Sequence, residues 1–126
     1  MLKNKTVLIV ITTFTLSFSS LSAASLGSLL FHGNCITCHE ETKAVSAPSV
    51  MEFRANYLRA FPEKKDFVEY MSEWVKHPNV EKSIMQDAIK KYELMPELGF
   101  EKSTLEIITE YIYKTDFTKE HEGHED

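Results

Sequence analysis

Apolar side chains recur three or four positions apart along most of the chain, which is the spacing of one face of an α-helix. The segments with this pattern cover residues 25–34, 50–60, 62–77, 79–92 and 103–115. No segment alternates apolar and polar residues as a half-buried strand does. The pattern therefore predicts an all-α fold with about four to five short helices.

Capping residues and prolines predict several helix boundaries. Ser49 and Ser103 each stand three residues before a glutamate, which is the capping-box pattern at a helix N-terminus. We expect Pro62 in the first turn of its helix, where a missing N–H costs nothing. That helix should end at His77, because a proline follows. Asn79 is expected to cap the next helix, which should end near residue 92.

The N-terminal segment has the composition of a secretory signal. Lys3 and Lys5 precede an apolar run over 7–18, and Ser22-Ala23-Ala24 fits a signal peptidase site. The run of about 12 residues is shorter than the roughly 20 that a membrane-spanning helix needs. We therefore expect residues 1–24 to be a cleaved signal peptide, no stable membrane insertion afterwards, and a mature domain over 25–115 in the periplasm.

The charge of the mature chain limits its partners. Removal of the two N-terminal lysines leaves 12 of the 14 basic residues against 19 acidic ones, a net charge near −7. Nucleic acid and anionic lipid are unsuitable partners for such a surface. We expect a monomer that docks on basic patches of partner proteins, in a manner that salt weakens. Residues 116–126, with His121 and His124 among acids, are expected to form a disordered, solvated tail.

Both cysteines of the chain lie in the sequence Cys35-Ile36-Thr37-Cys38-His39. C-x-x-C-H is the signature of covalent haem c attachment, in which two thioethers hold the porphyrin and the adjacent histidine binds its iron. A thioredoxin-like redox pair would lie on a βαβ pattern, which this chain lacks. A zinc site would need two further cysteines or histidines at ligand spacing. Export agrees with haem attachment, because the thioethers form after the chain has entered an oxidising compartment.

Residues around the motif resemble a known family. Gly27, Leu30 and Phe31, at their spacing before Cys35, resemble the N-terminal helix and haem site of class I c-type cytochromes. The pattern Ile108-x-x-Tyr111-Ile112 resembles the C-terminal helix of that family. The resemblance implies short helices wrapped around one covalently attached haem. It also implies that the first and last helices cross, with the glycine and the aromatic residue at the crossing.

The resemblance also assigns a role to Pro48. In the family, a proline after the haem motif offers its carbonyl to the Nδ1 proton of the proximal histidine, here His39. Such a bond orients the imidazole, as is usual for metal-bound histidines. Trp74 and Arg54 carry N–H donors suited to a haem propionate. However, we expect Trp74 to be a core aromatic residue and Arg54 to lie on a solvated face.

The second axial ligand of the iron has several candidates in the sequence. These are Met51, Met71, Met85, Met95, His32 and His77. The first three fall on or beside apolar helical stripes, where methionine usually fills the core. His32 is tethered close to the motif, and His77 at a helix end is typical of a solvated cation. Met95 is the only one of these methionines outside a predicted helix, and Met95-Pro96 resembles the distal-ligand motif of the family.

Together these features predict a periplasmic single-electron carrier with one haem c, attached through Cys35 and Cys38 and ligated by His39 and Met95. A haem with both axial positions taken has none for a substrate, so we do not expect an enzyme. Two alternatives remain at this point. They are a peroxidase-like haem catalyst and a sensor of a small gas, and in both Met95 would be displaced from the iron.

Overall fold

The computed structural model describes residues 23–119 of the chain. In that range it is all-helical, as the sequence predicts, with no strand. The helices are α1 (Ala23–Asn34), α2 (Val50–Ala60), α3 (Lys64–Lys76), α4 (Gln86–Tyr92) and α5 (Lys102–Lys114). Residues 1–22 of the predicted signal and 120–126 of the predicted tail lie outside the described range. None of the described helices has the length and apolar character to cross a membrane.

Helix α5 is the centre of the packing. It lies against α3 and α1, and over a smaller area against α2. Burial of a large apolar side chain contributes about 1.5–3 kcal/mol, so the shared core supplies most of the stability of the bundle. The core consists of Phe31, Val50, Tyr57, Phe67, Met71, Ile108, Ile112 and Phe117.

The crossing of α1 and α5 depends on Gly27. A Cβ built on this glycine would lie 2.6 Å from the Cβ of Tyr111 and 3.1 Å from the carbonyl oxygen of Ile107. Phe31 is fully buried at the same crossing, with its ring centroid 5.6 Å from that of Tyr111. The expected placement of Gly27 and Phe31 where the first and last helices cross is confirmed.

The N-terminus of α2 is fully capped. The Ser49 side chain accepts the N–H at the third helical position at 3.2 Å, as the capping box predicts. The N–H groups of Val50 and Met51 donate to the carbonyls of Glu40 and Glu41 at 2.9 and 3.0 Å. These bonds satisfy donors that have no partner inside the helix. They also join α2 to the residues directly after His39.

Two other boundaries differ from the sequence expectation. Pro62 lies outside α3, which begins at Lys64, so its expected place in the first turn is wrong. The helix ends at Lys76 with His77 as its C-cap, as the proline after His77 predicts. Helix α5 begins at Lys102, so the second predicted capping box is wrong. Its first intrahelical bonds run to the carbonyl of Glu101, which accepts two backbone N–H groups at 3.1 and 3.2 Å. Ser103 therefore lies inside the first turn rather than at the cap.

Helix α4 is shorter than predicted and isolated from the other helices. Asn79 accepts the N–H of Lys82 at 3.2 Å through its side chain. The Gln86 amide donates to the carbonyls of Val80 and Ser83 at 2.6 and 2.9 Å. These bonds hold residues 79–85 in turns and compete with helix formation. The helix ends at residue 92 as predicted, has no fully buried residue, and packs against no other described helix.

The packed part of the chain extends beyond the predicted domain end at residue 115. Phe117 is 3% exposed, and its ring lies 5.6 Å from that of Phe31 and 6.1 Å from that of Tyr111. The predicted tail, which begins at residue 116, is therefore wrong at this position. A single aromatic residue among charged ones gave no periodic signal, yet it covers the α1–α5 crossing.

Candidate cofactor site

A cavity of about 310 Å³ lies inside the bundle. Small-molecule sites measure roughly 300–1,000 Å³, so its size suits a cofactor. All five helices contribute to its wall, and most of the lining side chains are apolar. The isolated helix α4 presents its apolar Ala88, Ile89 and Tyr92 to this cavity. All residues predicted for the haem site also line it, namely Cys35, Cys38, His39, Pro48 and Met95.

The cysteine motif forms one wall of the cavity directly after α1. Cys35 continues the helical hydrogen bonding, with its N–H 2.8 Å from the carbonyl of Phe31, and His39 donates to the carbonyl of Cys35 at 2.9 Å. This tight winding brings the two cysteines and the histidine to one side of the cavity. Both cysteines are free thiols, with Cys35 half-buried and Cys38 exposed.

The thiol of Cys35 is in an environment that disfavours its ionisation. Burial, and secondly the neighbouring Cys38, raise the pKa of Cys35 to about 11. In a redox-active cysteine pair the attacking thiol is activated by a lowered pKa. The environment of Cys35 therefore does not favour the thioredoxin-like alternative.

The imidazole of His39 is oriented by a backbone carbonyl. Its Nδ1 donates to the carbonyl oxygen of Pro48 at 2.8 Å, which is the contact that the family resemblance implies. A proton on Nδ1 leaves the lone pair of the neutral ring on Nε2. Burial lowers the pKa of His39, and the bond to Pro48 opposes this effect in part. A neutral, oriented imidazole is the form in which histidine binds metals.

Three of the candidate axial methionines line the cavity. Met71 belongs to α3, and Met95 lies in the irregular segment between α4 and α5. Because α4 begins at Gln86, Met85 stands at its N-cap, outside the helix. The expectation that Met95 alone lies outside a helix is therefore wrong, and Met85 becomes its nearest competitor.

The other axial candidates do not line the cavity. Met51 does not line the cavity. His32 Nε2 lies 3.2 Å from the carboxylate of Glu41, and His77 Nδ1 lies 3.3 Å from that of Glu97. Neither histidine contributes to the cavity wall.

The chain enters the Met95 segment through a strained residue. Glu93, the C-cap of α4, has φ 71° and ψ 176°. It is the only non-glycine residue with positive φ in the described range. Such a conformation costs of the order of 1–3 kcal/mol and persists only where the surroundings impose it. It turns the chain sharply from α4 to the cavity wall, which Glu93 and Met95 both line.

The two residues considered as propionate donors bond to the protein backbone. Trp74 Nε1 donates to the carbonyl of Asn79 at 3.0 Å. Arg54 donates from Nε to the carbonyl of Ile112 at 2.7 Å and from Nη2 to that of Tyr113 at 2.8 Å. The expectation of a solvated Arg54 is wrong, because its guanidinium caps the C-terminal end of α5 from the neighbouring helix.

The donor set at the cavity fits haem better than a bare metal ion. No three histidine, cysteine or acidic side chains in residues 23–119 are grouped so that they could hold a metal. Haem brings four nitrogen ligands in its own macrocycle and needs only axial groups from the protein. His39 and a methionine line the same cavity and would be the axial groups. The free cysteines at the wall would be the thiols for attachment.

The fold and the site together define an all-helical protein with a cofactor-sized apolar cavity and a C-x-x-C-H motif on its wall. Comparison of the chain with protein-family models, with curated proteins and with solved structures gives no match.

Proposed function

We propose that this protein is a class I c-type cytochrome that carries single electrons in the periplasm. The observation that supports this most is the convergence of all the nominated site residues on one apolar cavity. The hydrogen bond from His39 to Pro48 supports it further, because it holds the imidazole in the tautomer that a metal requires.

Each residue of the site has a defined role in the proposal. Cys35 and Cys38 would hold one haem c as thioethers, and His39 and Met95 would bind its iron. A thioether ligand such as Met95 would raise the reduction potential by favouring the ferrous state. The bound haem would supply one-electron chemistry between ferrous and ferric iron. The apolar wall excludes water, which limits solvent reorganisation during that transfer.

The surface charge suggests the kind of partner. The mature chain has 12 basic residues against 19 acidic ones, so its net charge is near −7. We propose that it exchanges electrons with oxidoreductases that present basic patches. Screening by salt weakens attraction between such surfaces. The second-order rate of electron exchange with a basic partner should therefore fall as ionic strength rises.

The attachment of haem tests the proposal directly. The chain is expressed with its signal segment in a host that matures c-type cytochromes, and the purified protein is analysed by pyridine haemochrome spectroscopy and intact mass. One covalent haem per chain is expected in the wild type. Replacement of Cys35 and Cys38 by alanine should abolish it. A colourless wild-type protein with both thiols free or joined to each other would overturn the proposal.

The identity of the distal ligand needs a matched pair of variants. Sulfur ligation gives the ferric protein an absorbance band in the far red, and this band should be lost in Met95→Ala. Met85→Ala removes a methionine from the same cavity wall and should retain it. The reverse result would assign the ligand to Met85. A wild-type protein with high-spin ferric haem and no such band would favour the catalyst alternative, whereas fast binding of carbon monoxide to the ferrous form would favour the gas sensor.

A further inference from the structure

The segment that carries Met95 has little support from its own backbone. Residues 93–101 contain no helix or strand. Within the described part of the chain, residues 94–99 take part in no backbone–backbone hydrogen bond. At its start lies Glu93 in a left-handed conformation, so the segment emerges from a strained position. Other contacts must hold Met95 in the cavity wall.

Two side chains at the end of α3 supply such contacts. His77 Nδ1 lies 3.3 Å from the carboxylate of Glu97, but both side chains are about 60% exposed. An exposed ion pair of this kind contributes little. Lys76 Nζ donates to the carbonyl of Phe100 at 3.2 Å in a partly buried position. A hydrogen bond from an ammonium group is stronger than one between neutral groups, so the Lys76 contact is the stronger of these two.

The position of Lys76 connects the segment to a rigid part of the cavity. Lys76 is the last residue of α3, which packs extensively against α5. The same helix lines the cavity through Met71, Trp74 and Val75. The lysine thus joins one end of the Met95 segment to a packed wall, while the strained Glu93 lies at the other end.

We propose that Lys76 is a positioning residue that holds the 93–101 segment against α3 and so keeps the sulfur of Met95 at the iron. This inference rests on the proposed His39/Met95 ligation. When the lysine contact is lost, the segment swings away more often. A small exogenous ligand can then take the place of the thioether.

The experiment measures displacement of the thioether in the haem-loaded protein. Imidazole is added to the ferric form of Lys76→Met, and the rate at which the far-red band disappears is followed by stopped-flow absorbance. Loss of a charge-assisted hydrogen bond should raise this rate roughly tenfold or more. Lys76→Gln is a second variant, used if the methionine variant does not fold. Lys76→Arg keeps a charged donor and should restore a rate close to that of the wild type.

Lys65→Met is the matched control. It removes the same charge from an exposed position of the same helix and should leave the rate unchanged. A lysine that only stabilises the fold would lower the melting temperature without changing imidazole exchange. Exchange at the wild-type rate in Lys76→Met, or in Lys76→Gln where the methionine variant does not fold, would therefore overturn the role of Lys76 alone. A wild type without the far-red band would overturn the His/Met ligation, and this inference with it.

Discussion

The close approach of α1 and α5 leads to a quantitative prediction for Gly27→Ala. The added methyl group would lie 2.6 Å from the Cβ of Tyr111, well inside van der Waals contact. A Cβ is fixed to its own backbone, so it cannot rotate away as the end of a long side chain could. The Ile107 carbonyl oxygen lies 3.1 Å from the same position, so the methyl group cannot shift towards it either. The two helices must therefore separate at the crossing that buries Phe31.

Two opposing terms determine the size of the effect. Overpacking of a tight interior contact typically costs about 1–3 kcal/mol. Alanine is favoured over glycine inside a helix by about 1 kcal/mol, which offsets part of that cost. We expect a net loss in the free energy of unfolding of up to about 2 kcal/mol. In a domain of 60–100 residues, each kcal/mol lowers the melting temperature by roughly 4–8 °C.

Gly33 provides the matched control within the same helix. A Cβ at this position meets no atom within 4 Å, so only the helix-propensity gain remains. Gly33→Ala should stabilise the protein by up to about 1 kcal/mol. Urea unfolding of both variants, followed by circular dichroism at 222 nm, measures the difference. Equal stabilisation by both substitutions would refute the close crossing.

Two further predictions concern groups whose surroundings differ from what their residue types suggest. Arg54→Met should lower the free energy of unfolding by about 2–3 kcal/mol, because the C-terminal carbonyls of α5 lose charge-assisted hydrogen bonds. Arg54→Lys should recover only part of this loss, since an ammonium cannot reproduce the planar fork; full recovery in urea titrations would contradict the two-bond geometry. In the haem-free chain at pH 8, iodoacetamide should modify the exposed Cys38 before the half-buried Cys35. The rate of modification at Cys35 should rise as the pH approaches its pKa of about 11. Peptide mass spectrometry measures the rate at each cysteine. Equal rates at pH 8 would contradict the assigned burial.

The features of the fold that could be predicted from sequence depend on short-range patterns. The apolar period indicates each helical segment, and the Ser49 capping box marks the start of α2. Residues 79–85 show the limit of such patterns. Their apolar spacing continues that of α4, yet side-chain bonds from Asn79 and Gln86 hold them in turns. Periodicity does not register this local competition.

The candidate site likewise includes contacts that were expected before the structure and contacts that were not. The proline lies nine residues after the histidine of the C-x-x-C-H motif, and the contact between His39 and Pro48 is the one that the family resemblance implies. Lys76 was missed because it bonds to a backbone carbonyl 24 residues away, which has no sequence signature. The role of Arg54 was missed for the same reason, since its acceptors lie 58 and 59 residues along the chain.

The isolation of α4 has a consequence for the order in which the molecule opens. This helix has no fully buried residue and packs against no other described helix, so its cavity-facing side chains and the bonds of Gln86 to the preceding turns hold it in place. Its amide hydrogens should exchange with deuterated solvent well before those of α3 and α5, through an opening that leaves the rest of the bundle intact. Cofactor seated against α4 would slow that exchange and join the helix to the cooperative unit. The protection of the amides of residues 86–92 from exchange would then report the fraction of molecules that hold the cofactor.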